Sequence, residues 1–526
     1  MEECAFMLIK RIKPLDSPPP SIPVLWAKLP WNFKTGFLSA IIFGTITHLF
    51  NFTNILLNHD SMSTFSSKKN YLFMGRWAAE SLAKLGTPLQ LPVIQGFLSI
   101  LALSVAAGIT VYLLSFSSFS GVVLAAGFMA VYPTVTTSLA YCNEWFLEAS
   151  LFAAAGALCV KQFRWGWIPA LPLLAIAMGL YQSYISLTIG LLLFDCVLRL
   201  LGQENILDVV KRGIRYILTL LGGMTLYYAI LLLCLHTTGT ELLTGFKGLD
   251  TLGFQNIGLY LRSIPQAYRD FLTFFWRAAY LIKPLLYAQR LLVILAFLAG
   301  LYLCFSRKLW KRPAALILTA IGALIIPPAL SLTSILSTEA LYMNVLYPYV
   351  LYYVFCIKLL EMAVRNIKNS WAGFGVQAIS MSLCLVLVWG TICVDNMAYY
   401  RMQLCYDHSM VLASRVFGHI ESIEGYTKDM PVAFVGTPDS TVSGIFSNFG
   451  LDSLGGTSLP SLIGNYATHR FFIQVAGIGY RCVGAEERTL ITESGILDTM
   501  PNYPEQGSII CWNDIVIVKF KDGAIR

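Results

Sequence analysis

Charge is what this chain has least of. Of 526 residues, 13% are Asp, Glu, Lys or Arg, 56% are hydrophobic, and the mean hydropathy is +0.65. A soluble domain carries about 25% charged residues, so a water-soluble globule is excluded and an integral membrane protein is expected. Cysteine motifs are missing too. Twelve cysteines occur without a CxxC, and Cys159, Cys196, Cys234, Cys304, Cys356, Cys384 and Cys393 sit in apolar segments as small hydrophobes. That excludes a disulfide framework and a zinc site, and leaves open only whether Cys482 and Cys511 pair. There is no P-loop, no GxSxG, no HExxH and no metal-ligand cluster. No segment is long enough for the cytoplasmic Rossmann-like domain that a nucleotide-sugar enzyme would bring, and no inverted repeat of the transporter kind is visible. The net charge of +8 is spread over short loops rather than gathered in a patch, which speaks for membrane topology and against nucleic acid.

What is there is a succession of apolar runs. At about twenty residues per crossing, spans are predicted at 36–57, 91–115, 119–138, 144–160, 168–182, 184–201, 214–236, 286–305, 313–334, 343–361 and 373–396. The fifth is short and holds Pro169 and Pro172, as a broken or tilted helix would. Residues 1–35, with Lys10, Arg11 and Lys13 before a proline run, read as a basic cytoplasmic tail. With that end inside, the inner connections are Lys161 to Arg164, Arg199 with Lys211, Arg212 and Arg215, Arg307 to Arg312, and Arg365 with Lys368. They are short and basic, as the positive-inside rule requires. The expectation is therefore an all-α polytopic protein of about eleven spans, N-terminus in and C-terminus out. Its membrane domain covers 36–398, with outer loops 58–90 and 237–285.

From residue 399 onward the chain is mixed and polar, which predicts a small α+β domain outside the membrane. Leu412, Val416, Ile420 and Ile423 recur at helical spacing, so 400–425 reads as an amphipathic helix. Val432–Val435 reads as a buried strand ending at Gly436. Residues 509–512 and 515–518 read as two strands joined by the tight turn Asn513-Asp514.

Candidate chemistry concentrates at the outer ends of the spans. Asp60, just beyond the first span, is placed to act as a general base if a hydroxyl reaches it, and its neighbour His59 to orient an acceptor. The alternative is a helix-end carboxylate facing water. Arg76, Glu80 and Lys84 share one face of a helix over 70–85, opposite Met74, Ala78, Leu82 and Leu85. Such a helix lies in the interface, where Arg76 can grip a phosphate, helped by Lys68 and Lys69. Glu144 and Glu148 flank Trp145-Phe146-Leu147, and Glu144 can serve as a second acid or simply favour a helix N-terminus. Tyr181, Gln182, Ser183 and Tyr184 suit a sugar or a polar seam between helices, as do Tyr342, Asn344, Tyr347 and Tyr349. Outer loop 237–285 reads as a second interfacial helical stretch, with Lys247, Asp250, Arg262, Arg269, Asp270, Arg277 and Lys283 among aromatics.

The Asn58-His59-Asp60 turn, the Gly75-Arg76-Trp77 helix, the Leu180-Tyr181-Gln182-Ser183-Tyr184 segment and the small C-terminal domain together resemble the bacterial Gtr type II glucosyltransferases. These are associated with serotype conversion of O-antigen. The resemblance implies a GT-C fold with its active site on the outer face of the cytoplasmic membrane. It implies a polyprenyl-phosphate sugar donor, such as undecaprenyl-phosphate glucose, and a cell-surface polysaccharide or its lipid-linked precursor as acceptor. A donor synthase and a flippase would be partners. No nucleotide cofactor is implied, and a divalent metal finds no evident ligands. Asp60 matches the catalytic acid that GT-C enzymes hold in the first outer loop; many relatives carry two adjacent acids where this chain has His59-Asp60, so only Asp60 inherits that role. Two other readings stand beside it. One is a transporter or flippase of a lipid-linked sugar, with Asp195 as a candidate membrane charge. The other is an oligosaccharide polymerase or ligase.

Overall fold

The computed structural model describes residues 22–62, 71–85, 91–141, 145–243, 256–337, 343–439, 450–459 and 461–526. Nine helices among them are long and apolar enough to cross a bilayer. The first, α1 (Trp31–Thr53), shows how such a helix is built. It turns Gly36, Ser39, Ala40, Gly44 and Thr47 inward, while Leu38, Ile42, Ile46 and Leu49 stay exposed. Small residues let backbones approach where lipid removes the hydrophobic drive between helices. The inward face meets α3 (Pro92–Leu113) and α4 (Phe119–Val131), which follow the short helix α2 (Trp77–Leu85) in sequence.

α4 runs into α5 (Pro133–Tyr141) through a break at Tyr132, and together they make one span. Two short helices follow, α6 (Ala149–Gln162) and α7 (Trp167–Leu180), which turn back on each other through Phe163–Gly166. Each has 14 residues. That covers roughly 21 Å at 1.5 Å per residue, less than a hydrocarbon core of about 30 Å. They fall where spans 144–160 and 168–182 are predicted, but shorter, because the turn before α6 and the extended Tyr181 after α7 take up residues assigned to helix. The remaining long helices are α8 (Ile185–Leu201), α9 (Ile206–Thr238), α11 (Lys283–Ser306), α12 (Pro313–Leu330), α13 (Val350–Asn366) and α14 (Ser370–Glu421), each at a predicted span. Between α9 and α11 lies the amphipathic α10 (Ile257–Arg277), as expected for an interfacial stretch. Its Phe271 and Phe275 pack on Tyr349 and Tyr352.

One element departs from expectation. The last span and the amphipathic helix predicted at 400–425 are a single helix, α14, of 52 residues. At 1.5 Å per residue it is roughly 78 Å long, well over twice a bilayer core. Its far half carries a sheet of order β2-β1-β4-β3: β1 (Pro431–Val435), β2 (Arg481–Cys482), β3 (Ile509–Trp512) and β4 (Ile515–Lys519). β1 is parallel to β2 and β4, and β3–β4 is the expected hairpin. Its turn residues Asn513 and Asp514 have φ of 48° and 59°, the left-handed pair that tight hairpins select. The sequence reading did not find β2, whose two residues carry no alternation. Cys482 and Cys511 are both free and lie on opposite edge strands. Three strand spacings of about 4.8 Å separate them too widely for a disulfide, which needs Cα atoms within about 7 Å.

Candidate functional site

Asn58 builds the turn after α1. Its Oδ1 accepts from the backbone N–H of Asp60 (2.9 Å) and Ser61 (2.8 Å), while its own N–H donates to Ser61 Oγ (2.7 Å). Its Nδ2 donates to Ala140 O at the end of α5 (2.7 Å) and to Gly456 O (3.4 Å). One buried amide thus ties the turn to the bundle and to the C-terminal region. The flanking Leu57 and Met62 are buried in the hydrophobic core of the sheet domain, with Val416, Phe417, Phe434 and Phe472. Asp60 is lifted out of this anchor, its side chain 42% exposed. Tyr466, from the C-terminal region, donates its hydroxyl hydrogen bond to Asp60 Oδ1. His59 Nε2 lies 3.8 Å from the same oxygen, and the imidazole sits edge-on to Tyr466 and Tyr141.

Arg76 forms a second centre. Gly75 takes φ +73°, closing the 3-10 turn Leu72–Met74 and setting Arg76 just before α2. The sequence places Arg76 on the wet face of a helix running from 70; the structure starts that helix at Trp77 and buries Arg76 to 9% exposure. The guanidinium carbon stands 4.7 Å from the Phe146 ring centre and 4.6 Å from that of Tyr181, and those rings stack at 4.7 Å. Two aromatic faces stabilise the cation, and among the described residues no carboxylate pairs with it. The backbone beneath is gripped from two other elements: Gln182 Nε2, in the turn after α7, donates to Met74 O (2.8 Å), and Tyr227 OH, on α9, to Gly75 O (3.0 Å). Glu80 accepts from Tyr71 N–H (2.7 Å), closing the loop that precedes Arg76.

The chain itself joins the two centres. Tyr141 touches His59 and Phe146 touches Arg76. Five residues of extended chain reach at most roughly 18 Å, which bounds the separation of Tyr141 and Phe146. Trp145 in that connection has φ +58°, uncommon for a bulky residue. Glu148 ends it, buried, with Oε1 accepting from Ser99 Oγ (2.9 Å) and Oε2 without a hydrogen-bond partner among the described residues.

Of the residues singled out from sequence, His59 and Asp60 share one cluster, and Arg76, Tyr181 and Gln182 share the other. Tyr181 lies under Arg76, and Tyr184 is in the core against Tyr347, so neither presents an open surface. Tyr347 and Tyr349 bond Met129 O and Ser331 Oγ between helices, the polar-seam alternative. Lys68, Lys69, Glu144, Tyr342, Lys247 and Asp250, and the side chain of Lys84, lie outside the described residues. Asp195 is locked by Lys161 (2.7 Å), Arg199 (2.7 Å) and the Tyr216 hydroxyl (3.0 Å). Sequence reasoning missed Phe146, which it passed over for the flanking acids, and Tyr466, which no motif marks. Among the described residues no three His, Cys, Asp or Glu side chains gather as a metal would require.

A family model described as Glucosyl transferase GtrII matches residues 49–360, which takes in Asp60, Arg76, Phe146 and Tyr181 and stops short of α14 and the sheet. No curated protein and no solved structure matches.

Proposed function

Because the chain belongs to the GtrII glucosyl transferase family, we propose that it moves glucose from a polyprenyl-phosphate donor to a cell-surface glycan at the outer face of a bacterial cytoplasmic membrane. The observation that carries this reading is an outward carboxylate, Asp60, and a buried guanidinium, Arg76, that no carboxylate among the described residues pairs with; Tyr141 beside the first and Phe146 beneath the second are five residues apart in the chain. An arginine held on aromatic faces, with no carboxylate paired to it among the described residues, suits an external anion, and a phosphate takes its planar fork well.

In the mechanism, an acceptor hydroxyl gives its proton to Asp60 as its oxygen bonds to the anomeric carbon. The bond from that carbon to the phosphate oxygen breaks, and the lipid phosphate departs with the electron pair. Attack and departure on opposite faces invert the configuration. Arg76 neutralises the charge on the leaving phosphate, and holding both substrates in line supplies further rate. Tyr181, Gln182 and Tyr227 serve by fixing Arg76. The GT-C assignment and the outward C-terminus belong to the same proposal. Asp195, the candidate charge for transport, is tied to Lys161 at the end of α6 and to Arg199 and Tyr216, toward the basic connections rather than at mid-span.

The test is glucose transfer from radiolabelled undecaprenyl-phosphate glucose to a surface glycan by purified protein, beside Asp60→Asn. General-base catalysis contributes about 10²–10⁴-fold, so transfer should fall by that range while donor binding persists. Equal activity in the variant removes Asp60 from the mechanism, and no transfer by the wild type removes the donor assignment.

A further inference from the structure

The family match ends at residue 360, so nothing in it assigns a role to the C-terminal region. Yet that region reaches the carboxylate on which the proposed reaction turns. Tyr466 bonds Asp60 Oδ1 and remains 55% exposed. Its ring stands edge-on to His59, whose side chain is 26% exposed. A half-exposed aromatic ring beside a carboxylate and an imidazole is the chemistry of a sugar-binding surface. The ring covers the apolar C–H face of a pyranose, and the polar pair takes its hydroxyls.

The platform is held firmly. Ser461 and Thr468 bond the backbone of the loop that carries Tyr466, at Ile463 N (3.0 Å) and Gly464 N (2.8 Å). Gly464 itself has φ +93° and accepts from Thr437 Oγ1 (3.0 Å). A Cβ there would stand 2.6 Å from Thr437 Cα, so the loop is shaped around a glycine. Nearby, Gly456 meets both Asn58 and the Tyr141 ring, and Asp452 is tied to Arg401 of α14 at 2.6 Å. The tyrosine is thus placed before any substrate arrives. A carboxylate offers about four lone-pair positions, so the tyrosine bond and a substrate hydroxyl are compatible on one group.

The geometry points to Tyr466, with His59, as the acceptor-sugar subsite: the C-terminal region supplies the surface on which the accepting glycan lies while its hydroxyl meets Asp60. This rests on the functional reading above and adds to it the residue that recognises the acceptor.

The experiment measures transfer from undecaprenyl-phosphate glucose to lipid-free polysaccharide extracted from the surface of the source cells, with donor and acceptor varied separately. Tyr466→Ala and Tyr466→Leu should raise the acceptor KM about tenfold and leave the donor KM within about twofold. Tyr466→Trp, which keeps a flat ring, should restore the acceptor KM to within about threefold of wild type. Leucine keeps apolar bulk without the ring, so a Leu variant that behaves like Trp overturns the subsite, as does an unchanged acceptor KM in the Ala variant. A parallel rise in both KM values also overturns it, since that marks a general disturbance. Should the Ala variant fail to fold, the Leu and Trp pair decides alone. Wild type that transfers nothing removes the functional reading and the subsite with it; wild type that transfers while Tyr466 variants keep their acceptor KM removes the subsite only.

Discussion

Asn58 uses both ends of its amide, and the consequences are local and measurable. Replacing it with alanine leaves the N–H groups of Asp60 and Ser61 and the Ala140 carbonyl without their partner. Each buried group so stranded costs about 1–3 kcal/mol, and part of that is recovered by relaxation. Asn58→Ala should therefore lower the thermal midpoint by several degrees in a detergent melt and abolish transfer; an unchanged midpoint would mean that Leu57 and Met62 alone hold the turn. Arg76 offers the complementary case. Arg76→Lys keeps the charge but loses the planar fork and most of the stacking on Phe146 and Tyr181. We expect kcat/KM for donor to fall at least about tenfold, the equivalent of ~1.4 kcal/mol. Full activity in the lysine variant would show that charge alone suffices. The sequence pointed to Arg76 by type and position. Its burial was not legible, because helical periodicity assumed a helix through 70–76, whereas the left-handed Gly75 breaks the register.

At the scale of elements, α14 transmits position from the bundle to the sheet domain. Its near half packs on α4 and α11, and its far half supplies Cys405, Ala413, Val416, Phe417 and Ile420 to the sheet-domain core. A single alanine inserted after Tyr400 rotates everything beyond it by about 100° relative to the bundle. Arg401 would turn away from Asp452, and the far half of α14 would turn away from Leu57 and Met62. The expected outcome is a protein that still inserts in the membrane but loses transfer, read by fractionation and assay on the same sample. Retained transfer would show that the Tyr466 loop finds Asp60 without guidance from the helix. The amphipathic half was legible in Leu412, Val416, Ile420 and Ile423. Continuity was missed because the pattern changes from apolar all round to one-sided near residue 397. The backbone has no such change: neither glycine nor proline occurs between Gly390 and Gly418, so nothing in the chain stops the helix.

For the whole molecule the open quantity is which side of the membrane each end occupies. Cys511 sits exposed on the edge strand β3. If the C-terminal domain faces outward, a membrane-impermeant maleimide should label Cys511 in intact spheroplasts, with that label lost in Cys511→Ser. Labelling only after permeabilisation would invert the topology and move Asp60 with it. The outcome is independent of how α6 and α7 sit. Their 14 residues each make them a pair of short crossings or a pair that enters and returns, and the two count alike for the ends. Chain composition alone determined that this is a membrane protein of many helices. Burying so many apolar residues with so few charges admits little else, and the short continuous apolar runs near the end marked β1, β3 and β4 as strands. What only the tertiary structure decided is the company each polar residue keeps. That Tyr466 reaches Asp60 across 406 positions, that Leu57 and Met62 enter the sheet-domain core, and that Arg76 rests against two stacked rings are facts of packing between distant segments. Local periodicity reports which face a residue takes on its own element, and it carries no information about which other element comes to meet that face.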